Sequence, residues 1–393
     1  MLTRKACKYR LYPTHSQEQA LHWTLARCRE LYNVALQERR DAYRMRGVSI
    51  RCYDQINQLP SIKAARPEYA DIHSQVLQDV LRRVDKAMQA FFRRGKLGQK
   101  PGYPRFQGRN RYDSFTYPQA GFALAGERLT LSKMGDIKVR LHRPMVGQVK
   151  TCTIKRDADQ WYVCFSCEVE EEALPPSDEA IGIDLGLLHF ATLSTGETIE
   201  NPRYYRKGRK KLALAQQKVS RCQRGSHRRE RARKAVARAH RTIRNQRRDF
   251  LHKAARSLVN HCGVIVMEDL KIMNMSATPD PKPDPENDGA YLPNGANAKA
   301  GLNQSILDAG WGQFQALCVA KAASAGRTVE FMAPHYTSQR CSQCGAIVKK
   351  DLAQRWHSCS CGCELDRDHN AAINILLAGK QPTGLRACRS PAL

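Results

Sequence analysis

Five cysteines crowd together late in this chain, as Cys341-Ser-Gln-Cys344-Gly345 and then Cys359-Ser-Cys361-Gly362-Cys363. Thiolates at such spacing hold zinc. Cys341-x2-Cys344-Gly is a knuckle turn, in which the glycine permits the sharp bend that aims backbone amides at the sulfurs. The second half is irregular, because Cys359 lies one residue closer to Cys361 than Cys341 lies to Cys344. Cys359 with Cys361 is the favoured completion, and Cys363 or His357 are the alternates for the last position. Four thiolates leave no open coordination site, so the expected role is structural.

Directly after the cysteines comes Asp366-Arg367-Asp368-His369-Asn370. Asp366 precedes the apolar-periodic run Asn370-Ala-Ala-Ile-Asn-Ile-Leu-Leu and suits the N-cap of a helix. Asp368, in the first turn, is then free to reach a metal. Two further acids, Asp184 and Glu268, stand at the ends of apolar runs, Ile181-Gly-Ile-Asp184 and Gly263-Val-Ile-Val-Met-Glu268. An acid at a strand end is more often a solvated loop residue or a helix cap. Three gathered together would instead bind two divalent cations, and Mg²⁺ suits hard oxygen ligands in phosphodiester hydrolysis. Gly182 and Gly186 flank Asp184 and would let a phosphate backbone approach closely.

Bulk composition agrees with a nucleic-acid substrate. The 393 residues carry 65 Lys+Arg against 37 Asp+Glu, a net charge of +28, and 42% are hydrophobic. The charge demands a polyanionic partner, while the apolar content supports real cores. No apolar run is long enough to span a bilayer. The first residues carry charge without an apolar segment after it, unlike a signal peptide. With no export signal and five of the 15 cysteines in one cluster, a reducing cytoplasm fits better than a disulfide framework. Cys164-x2-Cys167 repeats the knuckle spacing, but on a period-two strand these positions face opposite sides, so they are expected to be two packed thiols.

The elements that position these residues fall into two sets. Lys8–Pro13 alternates as a short strand, and Thr14 with Gln17 has the spacing of a capping box. Helical periodicity then runs to about residue 95 through Leu21, Leu25, Cys28, Tyr32, Val76, Val80 and Val84. Residues 113–172 have β patterning, and Pro175-Pro176 has the composition of a linker. From Ala180 the pattern is a strand ending at Asp184, a hairpin, two long helices over 203–258 broken near Gly225-Ser226, and a fourth strand ending at Glu268. A proline-rich loop over 276–300, a helix over Leu302–Ala325 and a fifth strand at 328–332 complete it. Within 201–250 there are 19 Lys or Arg and two acids. Charge of nearly one sign repels itself unless a polyanion neutralises it, which favours a nucleic-acid groove. Phe91-Phe92-Arg93-Arg94 and Tyr103-Pro104-Arg105-Phe106 interleave aromatics with cations. They suit base stacking and phosphate contact, or equally a core closing the helical region.

Several of these segments together resemble the TnpB (OrfB) proteins of bacterial insertion sequences. The matching residues are Tyr9-Arg-Leu-Tyr-Pro13, Gly102-Tyr-Pro-Arg-Phe106, Gly182-Ile-Asp184-Leu-Gly186, Val266-Met-Glu268-Asp-Leu270, Ser305–Trp311, Cys341-x2-Cys344-Gly and Leu365–Ile375. They span nearly the whole chain in the family's order. The resemblance implies a multidomain α+β protein. It would have a β-barrel wedge region (1–13 and 113–175), a helical recognition region (14–112), and an RNase H-like (RuvC) nuclease domain (180–334 and 365–379). A zinc ribbon (335–364) interrupts the nuclease domain, and the tail 380–393 is expected to be disordered. Implied too are a transposon-associated RNA-guided DNA endonuclease activity supporting transposition, with catalytic acids Asp184, Glu268 and Asp368 holding Mg²⁺. Structural zinc would sit on Cys341, Cys344, Cys359 and Cys361. The implied partners are a guide RNA made from the transposon end and a double-stranded DNA target. The rival readings are a strand-joining transposase, an RNA-guided repressor that does not cut, and a guide-free nuclease.

Overall fold

The computed structural model describes residues 2–109, 111–287, 289–351 and 353–379, so the tail 380–393 lies outside the described residues. The chain divides into two compact units, Leu2–Glu170 and the residues from Glu171 onward.

In the first unit β1 (Leu2–Tyr12) leads into α1 (His15–Arg46), the short α2 (Cys52–Asn57) and α3 (Leu59–Ala65), and α4 (Ser74–Lys96). Six strands follow: β2 (Ser114–Tyr117), β3 (Phe122–Ala125), β4 (Arg128–Leu131), β5 (Gly135–Arg140), β6 (Gln148–Asp157) and β7 (Gln160–Glu170). With β1 they form a seven-stranded sheet in the order β2-β6-β7-β1-β5-β4-β3. β1 is longer than its sequence pattern suggested, because Leu2 through Leu11 pair antiparallel with Glu170 through Trp161. Its first residues are charged and show no alternation, and the β7 ladder holds them extended. Trp161, Val163, Phe165, Cys167 and Val169 of β7 alternate into the core. Cys164 and Cys167 therefore face opposite sides, and burial pushes the Cys167 thiol up to about 11.

Thr14 and Gln17 make the reciprocal capping bonds, and Gly47 closes α1 in the left-handed region at φ 65°. Leu21, Leu25 and Cys28 of α1 and Val76, Val80 and Val84 of α4 join Tyr9, Phe115 and Phe165 in one interior. The helices and the sheet thus share a core. Arg83 fastens α4 to β2 by donating to the Ser114 carbonyl at 2.7 Å and to Thr116 Oγ1 at 2.8 Å. In the last turns of α4, Phe91 packs edge-on against Phe92 and against Tyr103 beyond the helix, yet Phe92, Tyr103 and Phe106 remain exposed. These aromatics are only partly absorbed by packing.

The second unit contains β8 (Ala180–Asp184), β9 (His189–Leu193), β10 (Thr198–Glu200), α5 (Tyr204–Ser220), α6 (His227–His261), β11 (Val264–Glu268) and α7 (Ile272–Met275). Then come β12 (Lys282–Pro283), β13 (Tyr291–Leu292), α8 (Ala296–Ala309), α9 (Trp311–Ala325), β14 (Thr328–Met332), β15 (Trp356–Ser358), β16 (Glu364–Asp366) and α10 (Arg367–Gly379). The main sheet has the order β10-β9-β8-β11-β14. β8, β11 and β14 run parallel, and β9 and β10 are antiparallel additions. This is the RNase H-like order.

β8 and β11 are apolar on both faces because both faces are covered. On one, Ile181, Ile183, Ile265 and Met267 pack with Leu251, Ala255 and Val259 of α6 and Phe314 of α9. On the other lies α10. A Cβ on Gly182 would sit 2.2 Å from the Ala372 carbonyl, and one on Gly379 would sit 2.7 Å from Val266. Only glycine lets the helix lie this close.

One expectation needs correction. The helix expected over Leu302–Ala325 is two helices, because Gly310 adopts φ 74° between them, and α8 begins at Ala296 inside the expected loop. The Pro175-Pro176 segment follows the boundary between the units and is fastened on both sides. Leu174 N–H donates to the Ala325 carbonyl, and Ser177 Oγ donates to the His261 carbonyl, each at 3.0 Å. Among the described residues no helix is long and apolar enough to cross a membrane.

Candidate active site

Asp184 closes β8 and Glu268 closes β11. The parallel register pairs Met267 with Ile183, so the two acids stand side by side one residue further on. Neighbouring strands lie about 4.8 Å apart, which sets the scale of their separation. By the two-residue period of a strand, both share the face of Gly182 and Val266, the face that α10 covers. Asp368 lies one helical turn before Ala372, the residue seated over Gly182. The same close approach that needs a glycine therefore brings the third acid to the strand ends. Gly186 lies under it, since a Cβ there would be 4.0 Å from Asp368 Oδ2. Asp366 accepts from the backbone N–H of Asp368 at 2.8 Å and of His369 at 3.2 Å, so it is the N-cap. That leaves the Asp368 carboxylate beside Arg367 Nε at 3.4 Å.

The electrostatics follow from burial first. Burial, and then the charges of Glu268 and Asp368, push the Asp184 carboxyl up to about 8, against the pull of Arg367. Burial also raises Glu268, opposed by a hydrogen bond from Thr337. A cation beside Asp184 and Glu268 would offset the cost of ionising these two buried carboxyls. An all-oxygen donor set of this charge fits Mg²⁺.

The thiols are built differently. Gly345 N–H donates to the Cys341 carbonyl and Gly362 N–H to the Cys359 carbonyl, each at 2.9 Å, and these glycines have φ of 78° and 88°. Both halves thus turn on a left-handed glycine, the second closing one residue tighter than the first, in step with its shorter cysteine spacing. The sulfurs of Cys341 and Cys361 are 3.7 Å apart, and those of Cys344 and Cys359 3.6 Å. A tetrahedral zinc with bonds of about 2.3 Å has edges of about 3.8 Å, so the set is sized for zinc. Cys341, Cys344, Cys359 and Cys361 all place their sulfurs within 4.8 Å of one another. The alternates His357 and Cys363 form a second, buried group with Cys341. Burial opposes ionisation of Cys341, but the Cys344 backbone and His357 outweigh it and hold the thiol down to about 5. Among the described residues, only these thiol groups bring three or more ligand atoms within 4.8 Å, so the acids are spaced more widely.

α5 and α6 carry the basic block, packed as a pair with Leu212, Ala239 and Ile243 between them. Asp308, from the Ser305–Trp311 motif, accepts from Tyr205 N–H at 2.9 Å and from Arg247 at 2.9 Å. It anchors the start of α5. Sequence patterning alone missed the residues that hold the acids from behind. Gln315 Nε2 donates to the Glu268 carbonyl at 2.8 Å, and Thr337 Oγ1 donates to Glu268 Oε1 at 2.7 Å. Neither lies in a pattern that marks it. Asn370 and Asn374 did carry a signal, as two amides one turn apart in an apolar helix.

Residues 164–278 match the family described as "Probable transposase" (OrfB_IS605), and residues 311–375 match "Cas12f1-like, TNB domain". Residues 1–47, which hold β1 and α1, match a family described as "Helix-turn-helix domain". The chain is 33% identical over 392 residues to a Streptomyces pristinaespiralis protein named "Putative RNA-guided DNA endonuclease", covering 96% of this chain and 89% of that one. It is 34% identical over 384 residues to the Escherichia coli K12 protein "Putative RNA-guided DNA endonuclease InsQ", covering 95% and 92%. Among solved structures, a Cas12f1 chain in a complex with single-guide RNA and target DNA aligns with a TM-score of 0.55 at 12% identity, covering 95% of this chain and 98% of that one. That likeness speaks to the fold.

Proposed function

The chain belongs to the TnpB (OrfB) family of insertion-sequence proteins, and on that premise we propose that it is an RNA-guided DNA endonuclease whose nuclease site is Asp184, Glu268 and Asp368. The observation that carries the site is the register of β8 and β11, with α10 drawn down over Gly182. Asp184 and Glu268 come from the sheet and Asp368 from the helix, so three rigid elements hold the carboxylates. Asp184, Glu268 and Asp368 would together hold two Mg²⁺ ions. When bound, the two ions would activate water and stabilise the leaving oxygen of the phosphodiester. The wide spacing of the acids suits two cations better than one.

Cys341, Cys344, Cys359 and Cys361 would hold structural zinc, supported by the 3.6 and 3.7 Å sulfur edges. A guide RNA and a DNA target are the partners that the +28 charge and the basic α5–α6 pair support. Base pairing by the guide would supply sequence specificity, and protein contacts would follow the backbone. The first unit would supply the recognition and wedge functions, its exposed Phe92, Tyr103 and Phe106 offering stacking surfaces.

The test is to express the full chain with its native flanking DNA, sequence the copurified RNA, and use it to direct cleavage of a matching plasmid. A discrete RNA species and Mg²⁺-dependent cutting of the matching target are expected. Cutting that ignores the guide would establish a guide-free nuclease. Joining of transposon ends by the protein itself would establish a transposase.

A further inference from the structure

Glu268 is held from the ribbon side. Thr337 precedes the first knuckle by four residues, and its hydroxyl donates to Glu268 Oε1 at 2.7 Å, with both side chains buried. A threonine hydroxyl has one proton to give. Giving it to Glu268 Oε1 restrains the carboxylate and leaves the other oxygen without this bond. The backbone around Thr337 is unusual as well. Tyr336 has φ 60°, a left-handed conformation that a bulky residue seldom adopts, and the turn it opens is closed by Gln339 and Arg340 N–H groups on the Tyr336 carbonyl. Such strain persists only where the surroundings over-determine it.

Here the surroundings are two buried amides of α10. Asn374 Nδ2 donates to the Thr337 carbonyl at 2.9 Å and to the Arg340 carbonyl at 2.6 Å. Asn370 Nδ2 donates to the same Arg340 carbonyl at 2.8 Å, and its Oδ1 accepts from Ser342 N–H at 2.9 Å. Ser342 lies inside the first knuckle, between Cys341 and Cys344. Asn370 is two residues from Asp368. One hydrogen-bonded chain therefore runs from the knuckle through α10 and Thr337 to Glu268.

We infer that Thr337 is a positioning residue that aims Glu268 as a Mg²⁺ ligand, and that Asn370 and Asn374 lock it to the zinc knuckle and to the helix bearing Asp368. Two acids from different elements are then held by one frame. The inference deepens the proposed nuclease site and rests on Glu268 being a ligand.

Outer partners of metal ligands typically change metal affinity by about 10- to 100-fold when removed. Thr337→Val should raise the Mg²⁺ concentration for half-maximal cleavage by about that factor, with the rate recovering at high Mg²⁺. Mn²⁺ binding to the RNA-free full chain, read by electron paramagnetic resonance, should weaken in parallel while zinc content stays at the wild-type level. Thr337→Ser, which keeps the hydroxyl and loses a methyl, should restore both. If Ser does not restore them, the effect is packing and the inference is overturned. Wild-type Mg²⁺ and Mn²⁺ dependence in Thr337→Val, with Glu268→Gln inactive, also overturns it while leaving the acid site standing. Cleavage surviving in Glu268→Gln would instead remove the ligand assignment, and this inference with it. Asn374→Ala gives an independent arm: it keeps the hydroxyl but frees its backbone, and an unchanged Mg²⁺ requirement there counts against the lock.

Discussion

The thiol cluster and the acid cluster of the second unit are both proposed ligand sets, yet they are assembled in opposite ways. The thiols come from two glycine turns within Cys341–Cys363, and their sulfurs already stand at the edges of a zinc tetrahedron. The acids come from residues 184, 268 and 368. They stand further apart and are partly buried among apolar neighbours, which pushes Asp184 up to about 8. A structural site gains by closing around its ion, because binding energy becomes folding energy. A hydrolytic site must leave room for cations, water and a phosphate, so its frame has to carry the strain of keeping the charges apart. That frame is the sheet register, the Gly182 contact with α10 and the hydrogen bonds behind Glu268.

The largest effect is expected from removing Asp184. Asp184→Ala is expected to reduce guided cleavage to background while RNA binding, zinc content and the fold persist. Retained Mg²⁺-dependent cutting by this variant would reject the assignment. Cys344→Ser should act next most strongly and differently, by losing zinc, loosening the ribbon and displacing Asp368 through α10. Metal analysis and melting separate it from Asp184→Ala, and wild-type melting and activity would refute a structural zinc. Gly182→Ala tests the frame alone. The added methyl meets the Ala372 carbonyl, and overpacking of this kind costs about 1–3 kcal/mol. Cleavage should fall with zinc retained, and an unaltered rate would mean that α10 does not depend on this contact.

A smaller effect has the opposite sign. In Mg²⁺-free buffer Asp184→Asn should stabilise the protein, because it removes a buried, repelled carboxylate. The Asp184 carboxyl titrates higher when folded than when unfolded, so the folded state binds more protons. Its favourable share of stability is complete below the ordinary carboxylate range and is lost as pH rises through about 8. Wild-type melting should therefore drop over that window more than the variant's does, by roughly 2–4 °C for each kcal/mol. Equal pH profiles would show that the acids are not in conflict. The least effect is expected of Cys363→Ser, which should keep one zinc per chain while Cys361→Ser loses it. The reverse result would move the site to the alternate thiol.

Much of the frame was legible because its signals are local. Thr14 with Gln17, Asp366 ahead of an apolar helix and the break at Gly225-Ser226 all act within one turn of chain, and each appears where its spacing predicted. Gly310 was overlooked because a glycine inside a helical pattern looks tolerable until its φ is known. β1 was cut short because its charged first half is extended only by pairing with β7, a partner some 160 residues away.

The chain's own residues determined the ligand chemistry: five clustered thiols, three acids at the ends of elements, and a charge of +28. Those follow from residue type and short spacing, which do not change on folding. Tertiary structure decided which of them meet. The sulfurs of Cys359 and Cys361 stand with those of Cys341 and Cys344 in one group of four, while His357 and Cys363 meet Cys341 in another, since turn geometry and not spacing aims a thiol. Parallel register sets Asp184 beside Glu268, and Gly182 admits the helix that carries Asp368. Thr337, Asn370 and Asn374 acquire their role only there, because a hydrogen bond across 69 residues has no local signature.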